Sequence, residues 1–352
     1  MHFVCGPVAG GAEIFVKDMT IQMAKEGHSV HIVFLQTAQE SNRDESFSKH
    51  FLKELTDAGI EYSYIGVRAR ANPVFGIRRI RVLVRGFSPD IIHAHLYQVL
   101  FLLFFVPGAP VVFTKHSIQL GLPRYLVKIL LLRVSAFVAI CEACKGKFEK
   151  LAGRKLVHID NGATPWVFEK TLAQSNDVIR LVYLGRLSKE KNIELILRAC
   201  SALRAESFML SIVGEGPEYQ YLQNLATELD IEHKVSFLGN IDHAREFLSQ
   251  SDIFLMSSLS EGLPISLIEA AMSGLPCVVT DVGGCSEVIK KCKNGFVVQS
   301  GDVSDFRDKV SILLKDSRLR QELSSNALEY SKHYQINRVV QDHLGVYRSL
   351  YD

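Results

Sequence analysis

This 352-residue chain has few long apolar runs, and the longest, Val99 to Pro107, is too short to cross a bilayer. No secretory leader is expected at its start, because Gly6, Pro7 and the pair Gly10-Gly11 interrupt any apolar stretch. Its seven cysteines, at 5, 141, 144, 200, 277, 285 and 292, are an odd and scattered set. No paired disulfide framework follows from them, and a reducing compartment is favoured. Cys141 and Cys144 have the spacing of a redox or zinc pair, yet no second pair at zinc spacing follows; small buried helix residues are the competing reading. With 10 prolines and 22% charged residues, collagen-like and wholly disordered chains are excluded. Net charge is +2, too near zero for a chain that coats nucleic acid, and no nucleic-acid partner is expected.

What is present is material for large cores: 47% of the residues are hydrophobic, and the length favours two domains. Charge is divided unevenly. Residues 1–170 hold 21 Lys and Arg against 14 Asp and Glu, whereas residues 171–352 hold 19 against 24. The first half is therefore the better candidate to meet an anionic surface or substrate.

Both halves alternate short apolar runs with helical periodicity. Phe3-Val4-Cys5 leads into a glycine turn and a helix from Ile14 to Lys25, and Ser29–Leu35, Ile91–Ala94, Val111–Phe113 and Ala136–Ile140 read as further buried strands. A polar stretch, Thr37 to Lys49, precedes a helix that ends near Gly59. Ile179–Leu184, Met209–Val213, Val235–Leu238, Ile253–Met256, Cys277–Thr280 and Phe296–Val298 repeat the scheme. Such alternation predicts α/β architecture with two Rossmann-like, doubly wound parallel sheets. Turn chemistry at Asp160-Asn161-Gly162-Ala163-Thr164-Pro165 and the polar Gln174–Asp177 place the boundary within 161–178. Ligands of doubly wound sheets sit beyond the carboxyl ends of the strands, so chemistry is expected in a cleft between loop-bearing edges.

Two loops of the second half stand out. Gly185-Arg186-Leu187-Ser188-Lys189-Glu190-Lys191-Asn192 follows a strand and precedes a helix beginning near Ile193. It sets Arg186 and Lys191 beside a helix N-terminus that already favours an anion such as a diphosphate. A solvated basic loop is the plainer reading. Glu261-Gly262-Leu263-Pro264-Ile265-Ser266-Leu267-Ile268-Glu269 puts a tight turn and a helix start between two carboxylates. Carboxylates accept hydrogen bonds from sugar hydroxyls, and backbone N–H groups suit phosphate oxygens, so one loop could hold both ends of a nucleotide sugar.

Together with Val213-Gly214-Glu215-Gly216-Pro217, Phe237-Leu238-Gly239, Thr280-Asp281-Val282-Gly283-Gly284 and Gly10-Gly11-Ala12-Glu13, these segments resemble, in order and over nearly the whole chain, the retaining glycosyltransferases of the family-4 type. The resemblance implies the GT-B architecture. Residues 1–165 would form the N-terminal acceptor-binding domain, with a C-terminal helix, 337–352, packing back on it, and residues 166–336 would bind the nucleotide sugar.

It further implies that Arg186 and Lys191 neutralise the donor diphosphate, that Glu269 holds the ribose hydroxyls and that Glu261 holds hydroxyls of the transferred sugar. The amides of Leu263, Ile265 and Ser266, with Gly185 and Gly262, would face phosphate and sugar oxygens. The base would lie near Gly214, Gly216 and the Leu238-Gly239 turn, and Gly10 and Gly11 would admit the phosphates to the N-terminal backbone. Of the histidines ending two strands, His116 matches the family's Thr-x-His pattern and would contact donor sugar and acceptor; His93 reads as structural. No Asp-x-Asp occurs anywhere, so no metal and no cofactor is expected, and the two basic side chains replace the metal's charge. Three departures from the family pattern stand at Asp160, Thr164 and Ser286, and the first strand is short.

The expected partners are a nucleoside-diphosphate sugar, with uridine as default, and a glycan or lipid-linked acceptor of polysaccharide or lipopolysaccharide assembly. Arg68, Arg70, Arg78, Arg79, Arg81 and Arg85, and the basic apolar segment Arg124–Arg133, suit an anionic membrane surface or a phosphorylated lipid, against a plain reading of core helices with solvated arginines. The location expected is cytoplasmic or peripheral on the inner face of the cytoplasmic membrane. Three rival readings are weighed. An epimerase would isomerise the donor alone, a non-catalytic subunit would bind the donor without transfer, and a dehydrogenase lacks its Gly-x-Gly-x-x-Gly turn here.

Overall fold

The computed structural model describes residues 1–41, 45–166, 178–241 and 244–352, and the side chains within them except those of Arg70 and Ala244. Residues 42–44 of the first polar stretch, residues 167–177 of the expected linker and the Arg70 side chain thus lie outside the described residues. The chain divides into two compact units, Met1–Thr164 with Ile336–Asp352, and Pro165–Gln335.

The first unit is built on seven parallel strands, β1 (His2–Val4), β2 (His31–Phe34), β3 (Glu61–Tyr64), β4 (Ile92–Ala94), β5 (Val111–Lys115), β6 (Ala136–Ala139) and β7 (Val157–His158), in the order β3-β2-β1-β4-β5-β6-β7. The inner strands are buried along their length, as a parallel sheet covered by helices requires. β3 and β7 are the two edges and only half-buried, so their polar sequences Glu-Tyr-Ser-Tyr and Val-His carry no apolar run to announce them. The last helix, Ile336–Arg348, packs on the first, Gly11–Lys25: the His343 ring lies 6.0 Å from that of Phe15, and Gln341 Nε2 donates to Glu26.

The second unit has six parallel strands, β8 (Ile179–Leu184), β9 (Phe208–Val213), β10 (Val235–Gly239), β11 (Ile253–Met256), β12 (Cys277–Thr280) and β13 (Gly295–Val298), ordered β10-β9-β8-β11-β12-β13. Its core joins Leu181, Tyr183, Leu210, Ile212 and Leu255 to the apolar face of the helix Ile193–Ala202. Each fully buried side chain of this kind stabilises by about 1.5–3 kcal/mol relative to exposure. One buried charge is held by carbonyls: Arg320 Nη1 donates to Leu313 O at 2.7 Å and Leu314 O at 3.0 Å, closing the end of the helix Val303–Lys315. Another pair locks β8 to the start of β11, with Arg180 Nε and Nη2 each 2.8 Å from the Asp252 carboxylate.

In both sheets the strand order reverses beside the first strand, between β1 and β4 and between β8 and β11. Loops leaving the carboxyl ends of those strand pairs diverge, which opens a crevice in each unit and fixes where its ligand groups can converge.

Candidate active site

In the second unit the loops after β8, β11 and β12 are laced together. Ser257 Oγ donates to Lys191 O at 3.0 Å and to Asn192 O at 2.8 Å, and Leu259 N donates to Glu190 O at 2.7 Å. Thr280 Oγ1 donates to Ser258 O at 2.7 Å, and Gly284 N to Gly262 O at 2.7 Å. Gly283 lies so close to this turn that a Cβ there would stand 2.1 Å from Glu261 O, and its φ of +55° is itself one that favours glycine.

The lacing aims side chains. Lys191 Nζ donates to Glu261 Oε1 at 2.5 Å, and Ser258 Oγ donates to the same oxygen at 2.6 Å. Burial and the Glu261 charge together push the hydroxyl of Tyr183, beneath this loop, well above its usual pKa. The Tyr183 hydroxyl in turn donates to Arg186 O at 3.1 Å, while the Arg186 side chain is exposed. Past Pro264 the helix Ile265–Met272 begins, and its first-turn amides have no carbonyl one turn back within the helix, so they point outward as donors. Glu269, one turn in, is buried and accepts from Arg245 Nε at 2.9 Å; the Arg245 guanidinium sits over the Trp166 ring at 5.4 Å. Gly214 N donates to Gly239 O at 2.7 Å, which brings the turns after β9 and β10 together, and a Cβ on Gly216 would meet Leu187 O at 2.1 Å. A pocket of about 490 Å³ lies to one side, lined by Ser188, Lys189, Asn192, Ile193, Glu194, Glu218, Tyr221 and Leu222, and none of Arg186, Lys191, Glu261 and Glu269 borders it.

In the first unit, histidines crowd the carboxyl ends of β4 and β5. His95 Nδ1 and His116 Nε2 share a hydrogen bond of 2.9 Å, and His2 Nδ1 reaches His95 Nε2 at 3.4 Å. His93 is buried and bonded on both nitrogens, to Tyr347 Oη at 2.6 Å and Thr114 Oγ1 at 2.8 Å, as a structural histidine would be. His116 Nδ1 is buried with no hydrogen-bond partner among the described residues. Burial, aided by the nearby Lys115 and His343, pushes the His116 imidazolium down to about 3, so the ring is neutral. Gly10 caps the helix Gly11–Lys25 in extended conformation, and the space its Cβ would take is filled by the Glu13 carboxylate, 2.2 Å away.

Two family models tile almost the whole chain: Glycosyltransferase Family 4 over residues 9–165 and Glycosyl transferases group 1 over residues 167–330. The chain belongs to the family-4-type glycosyltransferases. The chain is 31% identical over 169 residues, 47% of its length, to the N-acetyl-alpha-D-glucosaminyl L-malate synthase of Bacillus anthracis, of which 44% is covered. It spans about half the length of the first curated relatives it matches, 44% and 54%. Among solved structures, sucrose-phosphate synthase of Thermosynechococcus elongatus superposes with a TM-score of 0.83 at 16% identity, covering 99% of this chain and 98% of that one. Anabaena HepE in complex with UDP gives 0.80 at 17% identity, covering 99% of each chain. At those identities the likeness speaks for the fold: α/β, of GT-B architecture, with two Rossmann-like domains.

Within the second unit, the fold gathers Lys191, Glu261, Gly262 and the first turn of the helix Ile265–Met272. The Arg186 backbone joins them through Tyr183. Reasoning from residues alone passed over Ser258, Tyr183, Arg245 and Trp166. Ser258 and Arg245 act by contacts made only after folding, and no local spacing marks them. Tyr183 sat inside an apolar run and read as core. A buried acid such as Glu269 requires a partner, which is the one signal that could have prompted a search for Arg245. The Cys141–Cys144 spacing also finds a local use: both are buried, and Cys141 Sγ caps the helix Glu142–Ala152 by accepting from Cys144 N at 3.3 Å.

Proposed function

We propose that this chain transfers a sugar from a nucleoside-diphosphate sugar, with uridine the default base, to a hydroxyl of a glycan or lipid-linked acceptor, with retained anomeric configuration and without a metal. The observation that carries the reading is the junction of Lys191, Glu261 and the amides of Ile265 and Ser266 at the sheet's switch point. A cation, exposed peptide donors and a hydroxyl-binding carboxylate stand together there, the set that a sugar diphosphate needs.

In the reaction proposed, the bond from the anomeric carbon to the diphosphate oxygen breaks, and the acceptor oxygen forms its bond on the same face. The acceptor proton passes to the departing phosphate oxygen. Lys191, Arg186 and the first-turn amides stabilise the charge that develops on that oxygen. Glu261 orients sugar hydroxyls, Glu269 the ribose, and Gly185, Gly214, Gly216 and the Leu238-Gly239 turn lie toward the nucleotide. His116 offers its unbonded ring nitrogen to the transferred sugar. With both basic groups in place, the diphosphate's charge is met without an ion.

The test is mass spectrometry of reactions that combine a panel of nucleotide sugars with glycan and lipid-linked acceptors in EDTA, followed by NMR of the product's anomeric centre. A glycosylated product of retained configuration is expected. An isomerised donor in the absence of acceptor would point instead to an epimerase, and a donor that binds but never turns over to a binding subunit.

A further inference from the structure

Between Glu61 and Glu142 the sequence carries ten Lys and Arg and a single carboxylate, Asp90. Much of that segment forms three helices, Pro73–Phe87, Tyr97–Leu103 and Arg124–Leu131, which pack side by side in that order. Two arginines bind them into one surface. Arg81 Nη2 donates to Phe105 O at 2.8 Å from one side, and Arg133 donates to Leu103 O at 3.2 Å and Val106 O at 3.2 Å from the other.

The outward side of this layer is apolar where a solvated helix layer would be polar. Phe101, Phe104 and Phe105 are 45%, 43% and 48% exposed, with the Phe105 ring 5.9 Å from Phe101 and 5.8 Å from Phe104. On the neighbouring helix and its end, Tyr125, Ile129 and Leu132 are 65%, 50% and 78% exposed, while Val127, Leu130 and Leu131 already fill the inner side. That helix is therefore apolar on both sides, and exposed Arg124 and Lys128 punctuate its outer one. On the helix Pro73–Phe87, Val74, Arg78, Arg81, Val82 and Arg85 all face outward, a stripe of mixed arginine and valine.

We infer that this face docks on an anionic lipid bilayer, its phenylalanines, Tyr125, Ile129 and Leu132 entering the headgroup boundary while Arg78, Arg81, Arg85, Arg124 and Lys128 meet lipid phosphates. Clustered, exposed aromatic and aliphatic side chains interleaved with cations are what an interface of water, headgroup and acyl chain accommodates. A second copy of the chain fits poorly, because a two-fold contact would set the same cations against one another with one carboxylate in the segment to offset them. Nucleic acid would leave the apolar side chains unburied. Among the described residues no helix is long and apolar enough to cross a membrane, and the contact inferred is with this surface alone. The inference goes beyond the transfer reaction and uses none of the donor-site residues.

The experiment is co-sedimentation of the full chain with vesicles of phosphatidylcholine alone and of phosphatidylcholine with a third of phosphatidylglycerol. Binding to the anionic vesicles is expected to be at least roughly tenfold tighter and to weaken as salt is raised. The double variant Phe105→Ser with Leu132→Ser should lose about tenfold on anionic vesicles. Arg124→Glu with Lys128→Glu, which leaves the apolar side chains in place, should abolish the preference for anionic lipid, so a misfolded first variant does not rescue the idea. Both variants should keep wild-type affinity for UDP in solution, which separates this inference from the donor site. Equal binding to both vesicle types, or unchanged binding in the charge-reversal variant, overturns it. So does a wild-type dimer on gel filtration that either variant dissolves.

Discussion

At Lys191 one ammonium meets the oxygen that Ser258 also addresses, so the side chain is held in place before any ligand arrives. A charge-assisted contact to phosphate contributes about 1.5–3 kcal/mol, and its loss should lower kcat/KM for transfer by roughly 10- to 100-fold. Lys191→Met is expected to show that drop with a somewhat lower urea midpoint, because the largely buried Glu261 carboxylate loses its cation; wild-type turnover would contradict the assignment. Gly283 acts on stability alone. An alanine there drives a methyl against Glu261 O in a backbone conformation that L residues avoid, and Gly283→Ala should cost about 1–3 kcal/mol in urea unfolding. At this scale, charged groups at loop spacing were legible in the sequence: Lys191, Glu261 and Glu269 stand where strand-turn-helix punctuation puts them. Arg245 and Trp166 were not, since their stacking depends on the fold and has no local period.

Strands and helices respond to pH and to caps as units. His2, His93, His95 and His343 are buried in the first unit and His116 is half-buried, and desolvation of the ring is the first cause lowering each below the ordinary histidine value of 6.5. An unfolded chain binds these protons from pH 6.5 downward while the folded one does not until about 4 for His343 and about 3 for His116. Stability therefore falls as pH drops through that window, by about 1.4 kcal/mol per pH unit for each histidine at most. His158, raised chiefly by its hydrogen bond to Asp160, opposes this: its contribution is present below 6.5 and is lost as pH rises through its folded value. The urea midpoint of the first unit's transition should be lower at pH 5 than at pH 7, and an equal or higher midpoint at pH 5 would contradict the burial of the cluster. In the second unit, Arg320→Leu should cost about 2–4 kcal/mol by leaving the carbonyls of Leu313 and Leu314 unpaired, and Arg320→Lys should recover part of it. An unchanged melt in the leucine variant would remove the cap from the account. Inner strands such as β8, β11 and β12 were readable as apolar runs between turns. β3 and β7 were not, because an edge strand buries too little to need one.

Across the two units, the same order of six strands occurs twice, the first sheet adding β7 at its edge, and in each the order reverses beside the first strand. That repetition was legible because alternating apolar runs and helical periods in a parallel sheet admit few topologies. What the sequence alone could not supply was the lacing of three loops through Ser257, Thr280 and Gly284, which brings Lys191 and Glu261 together. The central claim is that Lys191, Arg186 and the amides after Pro264 bind a nucleoside diphosphate unaided by a metal. Calorimetric titration of UDP, GDP and ADP into the full chain in EDTA tests it most directly. The account predicts that at least one diphosphate binds, and that Lys191→Ala and Arg186→Ala each weaken it by roughly 10- to 100-fold. Binding that appears only on adding a divalent cation, or that is unchanged in both variants, would contradict it.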